Sequence, residues 1–392
     1  MNVALDQGNS MQDLTCSHRQ HLGALDLRGR SGSFRLFTEG DDLYDAMISA
    51  IEAARRSIRL ESFILTADAV GCRFAGALSA KARAGVEVRF HFDSFGAATG
   101  YSEGLFRAMV DAGIKLKWYH PWSWLHPSHY FQRNHRKLLV IDEQDLFLGG
   151  FNIRLENSLA LYGEGRKRDT HVSVRGELAR YAAILFDQLW DHPERPVADR
   201  DEVIVGDISE CDLLGVQNFS CLVWKRIACL YVRLIEVSAR SVYITTPYFC
   251  PGSIVEKAAR QAAKRGVDVR LLVPRDSDPP FVGWLTRSGY TRLMAEGVRI
   301  YEYVAPRKLH AKTAVIDGQW CVVGSPNLDH LSLFVNHEFV LAARDLGLGQ
   351  ALHEQFFRDL ADAAEVQSLA WMKRGWAERC LEAIGWTARK LL

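Results

Sequence analysis

One pattern occurs twice in this chain of 392 residues: His-x-Lys-x4-Asp-x6-Gly-x-x-Asn. The first copy is His135, Lys137, Asp142, Gly149 and Asn152; the second is His310, Lys312, Asp317, Gly324 and Asn327. At roughly 5% usage per residue type, one such copy would arise by chance in about one chain in ten thousand. Two copies with identical spacing mark an internal duplication. They require a fold in which two similar units each present the same side chains.

The residue types explain the spacing. Side chains at i and i+2 of a strand share a face, so each histidine projects with its lysine. Both copies continue as apolar, strand-like runs, Lys137 to Ile141 and Lys312 to Ile316, and then meet turn residues, Asp142-Glu143 and Asp317-Gly318. A hairpin return through Gly149-Gly-Phe-Asn152 and Gly324-Ser-Pro-Asn327 brings each asparagine back beside its histidine and lysine. Each aspartate lies at an odd offset from its histidine and faces the other way. That assigns Asp142 and Asp317 to the turn and its backbone rather than to proton transfer.

Two such units facing each other would place two imidazoles, two ammonium groups and two amides around one small volume, a set suited to a phosphodiester. Lysines and asparagines hold the non-bridging oxygens and stabilise the pentacoordinate transition state. One imidazole attacks phosphorus while the other protonates the leaving alcohol and later deprotonates the incoming one. The lysines neutralise the phosphate, so the expectation is no metal and no cofactor.

The paired motifs resemble those of the phospholipase D superfamily, in which two HKD motifs from two half-domains build one active site. The likeness runs from about Phe34 to about Arg344. Within the superfamily the chain is most similar to the bacterial cardiolipin synthase group. Tyr243-Ile-Thr-Thr-Pro-Tyr-Phe249, Leu309-His-Ala-Lys-Thr-Ala-Val-Ile-Asp317 and Gly324-Ser-Pro-Asn-Leu-Asp-His-Leu-Ser332 carry that similarity, with Arg168-Asp-Thr-His171 and Asn336-His-Glu338 after the two motifs.

The resemblance implies a catalytic set of His135, Lys137, Asp142, His310, Lys312 and Asp317. It also implies phosphate contacts from Asn152, Asn327 and Ser325. Asp169 and Glu338 would be the carboxylates that orient the histidines, since an imidazole attacking through one nitrogen needs its other N–H held. His135 is assigned as nucleophile and His310 as acid–base by analogy, and the near-identity of the halves leaves the reverse open. Two positions depart from the pattern. Gly150 stands where the second motif has Ser325, which removes one hydroxyl, and His330 stands where the family often has proline.

The duplication extends beyond the motifs. Arg56-Ser-Ile58 reappears as Arg240-Ser-Val242, Gly85-Val-Glu-Val-Arg89 as Gly266-Val-Asp-Val-Arg270, and Gly113-Ile-Lys115 as Gly297-Val-Arg299. Each half therefore reads helix, strand, helix, strand, helix, strand, then the motif hairpin. Helices are predicted over Asp41–Arg55 and Ile254–Lys264, and buried parallel strands over Val86–Phe92 and Val267–Val273. The expected fold is α/β: two similar α/β/α sandwich halves related by pseudo-twofold symmetry, with the active site at their interface. The expected division is a polar segment over 1–32, a first phospholipase D-like half over 33–200, a second over 201–365 and an amphipathic segment over 366–392. Pro193, Pro196 and the charged run from Asp199 to Glu202 mark the boundary between halves.

Charge and composition narrow the partners. The net charge is +1, so the chain lacks the global basic field of a nonspecific nucleic-acid binder, and no nucleic acid is expected. A nuclease or DNA-end-processing phosphodiesterase shares the same catalytic pairs and is the competing class. The eight cysteines show no CxxC or zinc spacing and read as buried free thiols of a reducing compartment. No apolar run is long enough for a membrane span and no signal peptide is apparent, so the expectation is a peripheral enzyme on the cytoplasmic face of the membrane.

Two segments bear on membrane contact. Residues 120–131, an insertion before the first motif, carry two tryptophans, a tyrosine and a phenylalanine; they form either a lip that dips into lipid or a loop packed on its own domain. From Trp371 to Leu392, Trp371, Trp376 and Trp386 lie among arginines and lysines, the profile of an interfacial helix on anionic lipid. The resulting expectation is a phosphatidyltransferase that makes cardiolipin from phosphatidylglycerol or related phospholipids, phosphatidylethanolamine among them, through a phosphohistidine. Hydrolysis of the same intermediate would make it a phospholipase D.

Overall fold

Parallel β-strands need long crossovers and antiparallel ones need only a turn, and the chain uses both in the same order twice. The computed structural model describes residues 33–98, 100–124, 132–193, 213–218, 226–249 and 253–387. The segment 1–32, the boundary run from Asp199 to Glu202, most of the aromatic insertion (125–131) and residues 388–392 lie outside the described residues.

The first half runs β1 (Phe34–Phe37), α1 (Gly40–Ala53), β2 (Ser57–Ser62), α2 (Ala69–Arg83), β3 (Glu87–Asp93), α3 (Ser94–Ala97), α4 (Glu103–Asp111) and β4 (Lys115–Tyr119). The motif hairpin follows as β5 (Leu138–Ile141) and β6 (Asp145–Gly149), then α5 (Leu159–Tyr162), β7 (Lys167–Arg168), β8 (His171–Arg175) and α6 (Glu177–Asp191). The second half begins β9 (Leu213–Asn218), α7 (Arg226–Glu236), β10 (Ser241–Thr245), α8 (Ile254–Lys264), β11 (Asp268–Pro274), α9 (Pro280–Arg287), α10 (Tyr290–Ala295) and β12 (Arg299–Tyr303). It continues with β13 (Lys308–Leu309), the hairpin β14 (Thr313–Ile316) and β15 (Trp320–Gly324), α11 (His330–Phe334), β16 (Glu338–Arg344) and α12 (Leu346–Ala361). β17 (Ala363–Glu365), α13 (Ser368–Met372) and α14 (Trp376–Thr387) close the described chain.

The strands form two mixed sheets in matching order, β1-β8-β6-β5-β2-β3-β4 and β17-β12-β11-β10-β14-β15-β16-β9. In each, three parallel strands end against the antiparallel motif hairpin. β17 is an edge strand without a counterpart in the first sheet among the described residues. One face of each sheet is covered by its own helices: Leu43, Ile51, Phe74 and Leu78 over the first, Ile227, Leu234, Val255 and Ala262 over the second. The other faces share a core, in which Leu138, Leu146 and Val172 meet Val315, Val323 and Phe339. A fully buried Val, Leu or Phe contributes about 1.5–3 kcal/mol, so this shared core stabilises the docking of the two sandwiches. The α/β fold and the pseudo-twofold arrangement are as the repeat predicts.

Two local readings change. Cys229 is disulfide-bonded, not a free thiol, and Cys72 and Cys380 are exposed; an apolar neighbourhood hosts a half-cystine as readily as a thiol. The C-terminal tryptophans are only partly available to a lipid surface. The Trp371 ring packs on Tyr290 at 5.0 Å under the Arg374 guanidinium at 4.1 Å, and the Trp386 ring lies under Arg292 at 4.3 Å. Cation–π stacking thus ties these rings to the second half, through Arg374 of the segment itself and Arg292 of α10. Trp376, Leu369 and Met372 remain exposed.

Candidate active site

Lys137 and Lys312 sit immediately before β5 and β14, with their histidines two residues earlier on the same face. Both histidines reach across the seam through their backbone. His135 donates its N–H to the His337 carbonyl at 2.9 Å, and His310 donates to the Arg168 carbonyl at 2.7 Å. The residues following those carbonyls are Glu338 and Asp169. His135 Nδ1 lies 2.9 Å from Glu338 Oε1 and His310 Nδ1 lies 2.5 Å from Asp169 Oδ2. Each half thus supplies the carboxylate that orients the other half's histidine. With Nδ1–H held, the Nε2 lone pair of each ring is the reactive one.

The charged partners of these rings are buried close together: Lys137, Lys312, Asp169 and Glu338. Burial, aided by Lys312, lowers Lys137 to about 7, and burial lowers Lys312 to about 8. Burial together with Lys312 pushes His310 down to about 3, and burial lowers His135 against the pull of Glu338. Burial alone would raise Asp169, yet Lys312 and His310 hold it at about 2. Glu338 is likewise held down, against burial, by His135 and Lys137. Two buried cations side by side repel one another, and an arriving phosphodiester anion relieves that repulsion. The Lys312 ammonium sits 2.7 Å from His310 Nδ1 and 3.9 Å from Asp169. Lys137 Nζ donates to the His135 carbonyl at 2.9 Å and lies 5.6 Å from the Phe63 ring centroid. Phe63 also packs edge-on against the His135 ring at 4.9 Å.

The asparagines return to the site on the hairpins, with unequal partners. Asn152 Oδ1 accepts from the Ile64 N–H at 3.1 Å, which fixes the amide and turns its NH2 group the other way. Asn327 Nδ2 donates to Asp329 Oδ2 at 3.0 Å, and its Oδ1 is buried without a hydrogen bond. Burial pushes Asp329 up to about 6. Asp329 also caps α11 through the Ser332 N–H at 2.7 Å. His330 opens that helix at a position where proline is equally at home, because the first N–H of a helix has no intrahelical acceptor.

Ser325, expected on phosphate, is engaged elsewhere. Its hydroxyl donates to Glu338 Oε2 at 2.5 Å and accepts from the Phe339 N–H at 3.1 Å, so it steadies the carboxylate behind His135. Gly150 is glycine for a steric reason. A Cβ there would stand 2.0 Å from Asp169 Oδ1, in the space that carboxylate occupies to hold His310.

Asp142 and Asp317, counted with the catalytic motif by resemblance, lie at the far ends of β5 and β14 and tie turns. Asp142 accepts from the N–H groups of Arg55, Arg56 and Ser57 at 2.8, 2.7 and 2.8 Å. Asp317 accepts from Ala239, Arg240 and Ser241 at 2.8, 2.7 and 2.8 Å. Both adopt positive φ, 51° and 54°, in the hairpin turn, a conformation an aspartate tolerates better than most residues. A carboxylate holding three backbone donors at the opposite end of the strand cannot exchange a proton with substrate.

A buried network behind His135 was not legible from the spacing. Arg136, fully buried, donates to Glu61 Oε1 at 2.6 Å and across the seam to Gln217 Oε1 at 3.2 Å. Asn134 donates to the same Glu61 oxygen at 3.1 Å. The second copy has Leu309 and Ala311 at these places. The polar run Asn134-His-Arg136 inside an otherwise apolar strand signal was the available clue.

Residues 47–190 and 231–360 match the family described as "Cardiolipin synthase, PLD-like domain". Cardiolipin synthase 2 of Bacillus cereus is 30% identical over 377 residues, covering 95% of this chain and 73% of its own length. A cardiolipin synthase of Staphylococcus aureus is 31% identical over 345 residues, covering 87% of this chain and 69% of its own. Among solved structures, phosphatidylserine synthase of Haemophilus influenzae superposes with a TM-score of 0.71 at 12% identity, over 92% of this chain and 95% of that one. Polyphosphate kinase of Porphyromonas gingivalis does so at 0.61 and 13%, over 92% and 54%; at these identities the two show the fold alone. The fold and the paired sites define a phospholipase D-type phosphatidyltransferase. Within that class, the chain belongs to the cardiolipin synthase family.

Proposed function

We propose that the enzyme makes cardiolipin from phosphatidylglycerol through a phosphohistidine on His135. The His135 Nε2 attacks phosphorus, the bond to the leaving glycerol oxygen breaks, and His310, whose protonated form the bound phosphodiester anion favours, delivers a proton to that oxygen. The acceptor hydroxyl then gives its proton to His310, its oxygen bonds phosphorus, and the P–N bond to His135 breaks. Lys137, Lys312, Asn152 and Asn327 hold the non-bridging oxygens as charge develops. The observation that carries this reading is the crossed pairing of His135 with Glu338 and His310 with Asp169. Phosphatidylethanolamine is a further phosphatidyl source of the same chemistry, and water in place of the acceptor gives hydrolysis.

The working surface in this reading is an anionic membrane, met by a peripheral enzyme from the cytoplasmic side. Exposed Trp122 and Trp124 on the approach to the first motif support it, as do Leu369, Met372 and Trp376 at the C-terminus. No helix among the described residues is long and apolar enough to cross a membrane. Matches over 47–190 and 231–360 are compatible with the proposed division into halves over 33–200 and 201–365, with 1–32 and 366–392 outside them.

Mass spectrometry of products formed from phosphatidylglycerol vesicles, with and without phosphatidylethanolamine, tests the assignment. The expected product is cardiolipin, lost in both His135→Ala and His310→Ala. Near-normal turnover in either variant would refute the two-histidine mechanism, and phosphatidic acid as the sole product would make the enzyme a phospholipase D.

A further inference from the structure

β7 and β13 pair in parallel as a two-stranded ribbon that joins the halves beside His310. Its register sets Lys308 directly against Lys167 and Leu309 against Arg168. The bond from His310 N–H to the Arg168 carbonyl carries the ladder one residue further. Since side chains alternate along extended chain, Lys167 shares a face with Asp169 and Lys308 shares a face with His310. The two lysines therefore sit one pleat outside the His310–Asp169 contact, about 6–7 Å along the strand at their backbones. Like charges placed directly opposite destabilise a strand pair, so this register holds a repulsion at the edge of the site.

Neighbouring carboxylates do not cancel it. Glu39 pairs with Arg166 at 2.8 Å and Arg307 at 2.9 Å, and Asp359 pairs with Arg168 at 2.7 Å. Lys167 meets Glu156 only at 3.8 Å, and Glu156 already holds Arg154 closely. Lys308 meets Asp278 only at 3.8 Å, with both side chains mostly in solvent. Lys167 is 24% exposed at its side chain, so it borders solvent while facing the site. Burial, Arg154 and Lys308 all push it below its ordinary value. The pseudo-twofold counterpart beside His135 is different. There Arg133 faces Asn336, whose Oδ1 accepts the Arg133 N–H at 3.2 Å, and the Arg133 guanidinium lies 3.5 Å from buried Asp93. The opposed cations occur on the His310 side of the site.

We propose that Lys167 and Lys308 form a second phosphate subsite, which holds the non-reacting phosphate of an anionic acceptor while His310 takes the proton from its hydroxyl. The proposal rests on the phosphatidyltransferase reading above. In phosphatidylglycerol a three-carbon glycerol bridge separates the free hydroxyl from the phosphate, which suits a cation pair one pleat from His310, the group that takes the hydroxyl proton. The pair binds and positions; the bonds made and broken remain those at phosphorus. It sets the acceptor on the His310 side and biases the intermediate on His135 toward lipid transfer over hydrolysis.

The test compares full-length wild type with Lys167→Gln/Lys308→Gln, using one phosphatidyl donor and three acceptors: phosphatidylglycerol in vesicles, soluble glycerol phosphate, and neutral 1-butanol. Loss of the pair should raise the apparent KM for both phosphate-bearing acceptors and lower transfer to them by about tenfold or more, while transfer to butanol stays within about twofold. Lys167→Arg/Lys308→Arg should restore much of the loss. Unchanged transfer to the anionic acceptors, or an equal fall with butanol, overturns the subsite. A fall with vesicles but not with soluble glycerol phosphate also overturns it, because the lysines would then act on the membrane surface. If wild type transfers to no alcohol at all, it is the assigned function that fails, and the subsite with it.

Discussion

Because each orienting carboxylate comes from the opposite half, Asp169→Asn and Glu338→Gln should disable different chemical steps. Asp169 lies 2.5 Å from His310 Nδ1, and its charge is held ionised by Lys312 and His310. Replacing it with an amide removes a charge-assisted hydrogen bond of roughly 1.5–3 kcal/mol, which corresponds to about 10- to 150-fold in rate. The amide also admits the wrong tautomer, and that change behind a catalytic imidazole can reach ~10⁴. The expected loss in transfer is therefore between about 10-fold and 10⁴-fold for either variant. The assay that separates them is a rapid-quench experiment with a phosphatidyl p-nitrophenyl ester, whose leaving group departs without a proton. Asp169→Asn should retain a burst of nitrophenolate with radiolabelled phosphatidyl trapped on the protein, because His135 still attacks while His310 cannot deprotonate the acceptor. Glu338→Gln should give no burst and no label. Identical behaviour of the two variants, or losses below about threefold, would refute the crossed-pair argument, and a reversed pattern would exchange the roles of the histidines.

Further outcomes follow from the same geometry. Gly150→Ser should lower transfer by about 10²-fold or more, since its Cβ would stand 2.0 Å from Asp169 Oδ1; near-normal transfer in the folded variant would refute the steric account. Asp142→Ala should cost about 2 kcal/mol of stability in urea unfolding, by freeing three backbone donors near the surface, while activity per folded molecule stays near wild type. A large loss of kcat in a fully folded variant would return this residue to the catalytic set. The kcat/KM of the free enzyme should fall as pH rises through about 7 to 8, where Lys137 and Lys312 lose their protons. The kcat should decline only at higher pH, because bound phosphate favours the ammonium forms; superimposable profiles would contradict this.

The fold was legible to a large degree because it is written twice. Helix Ile254–Lys264 is α8 as read, and strand Val267–Val273 is β11 shifted by one residue. These elements follow local rules, periodic apolar residues closed by glycine, that operate within a few residues. Ser325 illustrates the converse: its motif position is that of a phosphate ligand, but its hydroxyl holds Glu338, a residue packed against it only once β15 and β16 pair. Trp371 and Trp386 looked like lipid anchors because arginines lie near them in sequence. The arginines they meet instead include Arg292, brought over by the fold.

By itself, then, the amino-acid order determined that there would be two matched histidine–lysine–asparagine sets, because strand alternation and hairpin return act locally. Only the tertiary structure decided that the carboxylates cross between halves, that Arg136 is buried against Glu61 and Gln217, and that Lys167 opposes Lys308. These contacts join residues from about 75 to more than 200 positions apart in the chain. Their geometry is set by how the two sheets dock, and no local pattern carries that information.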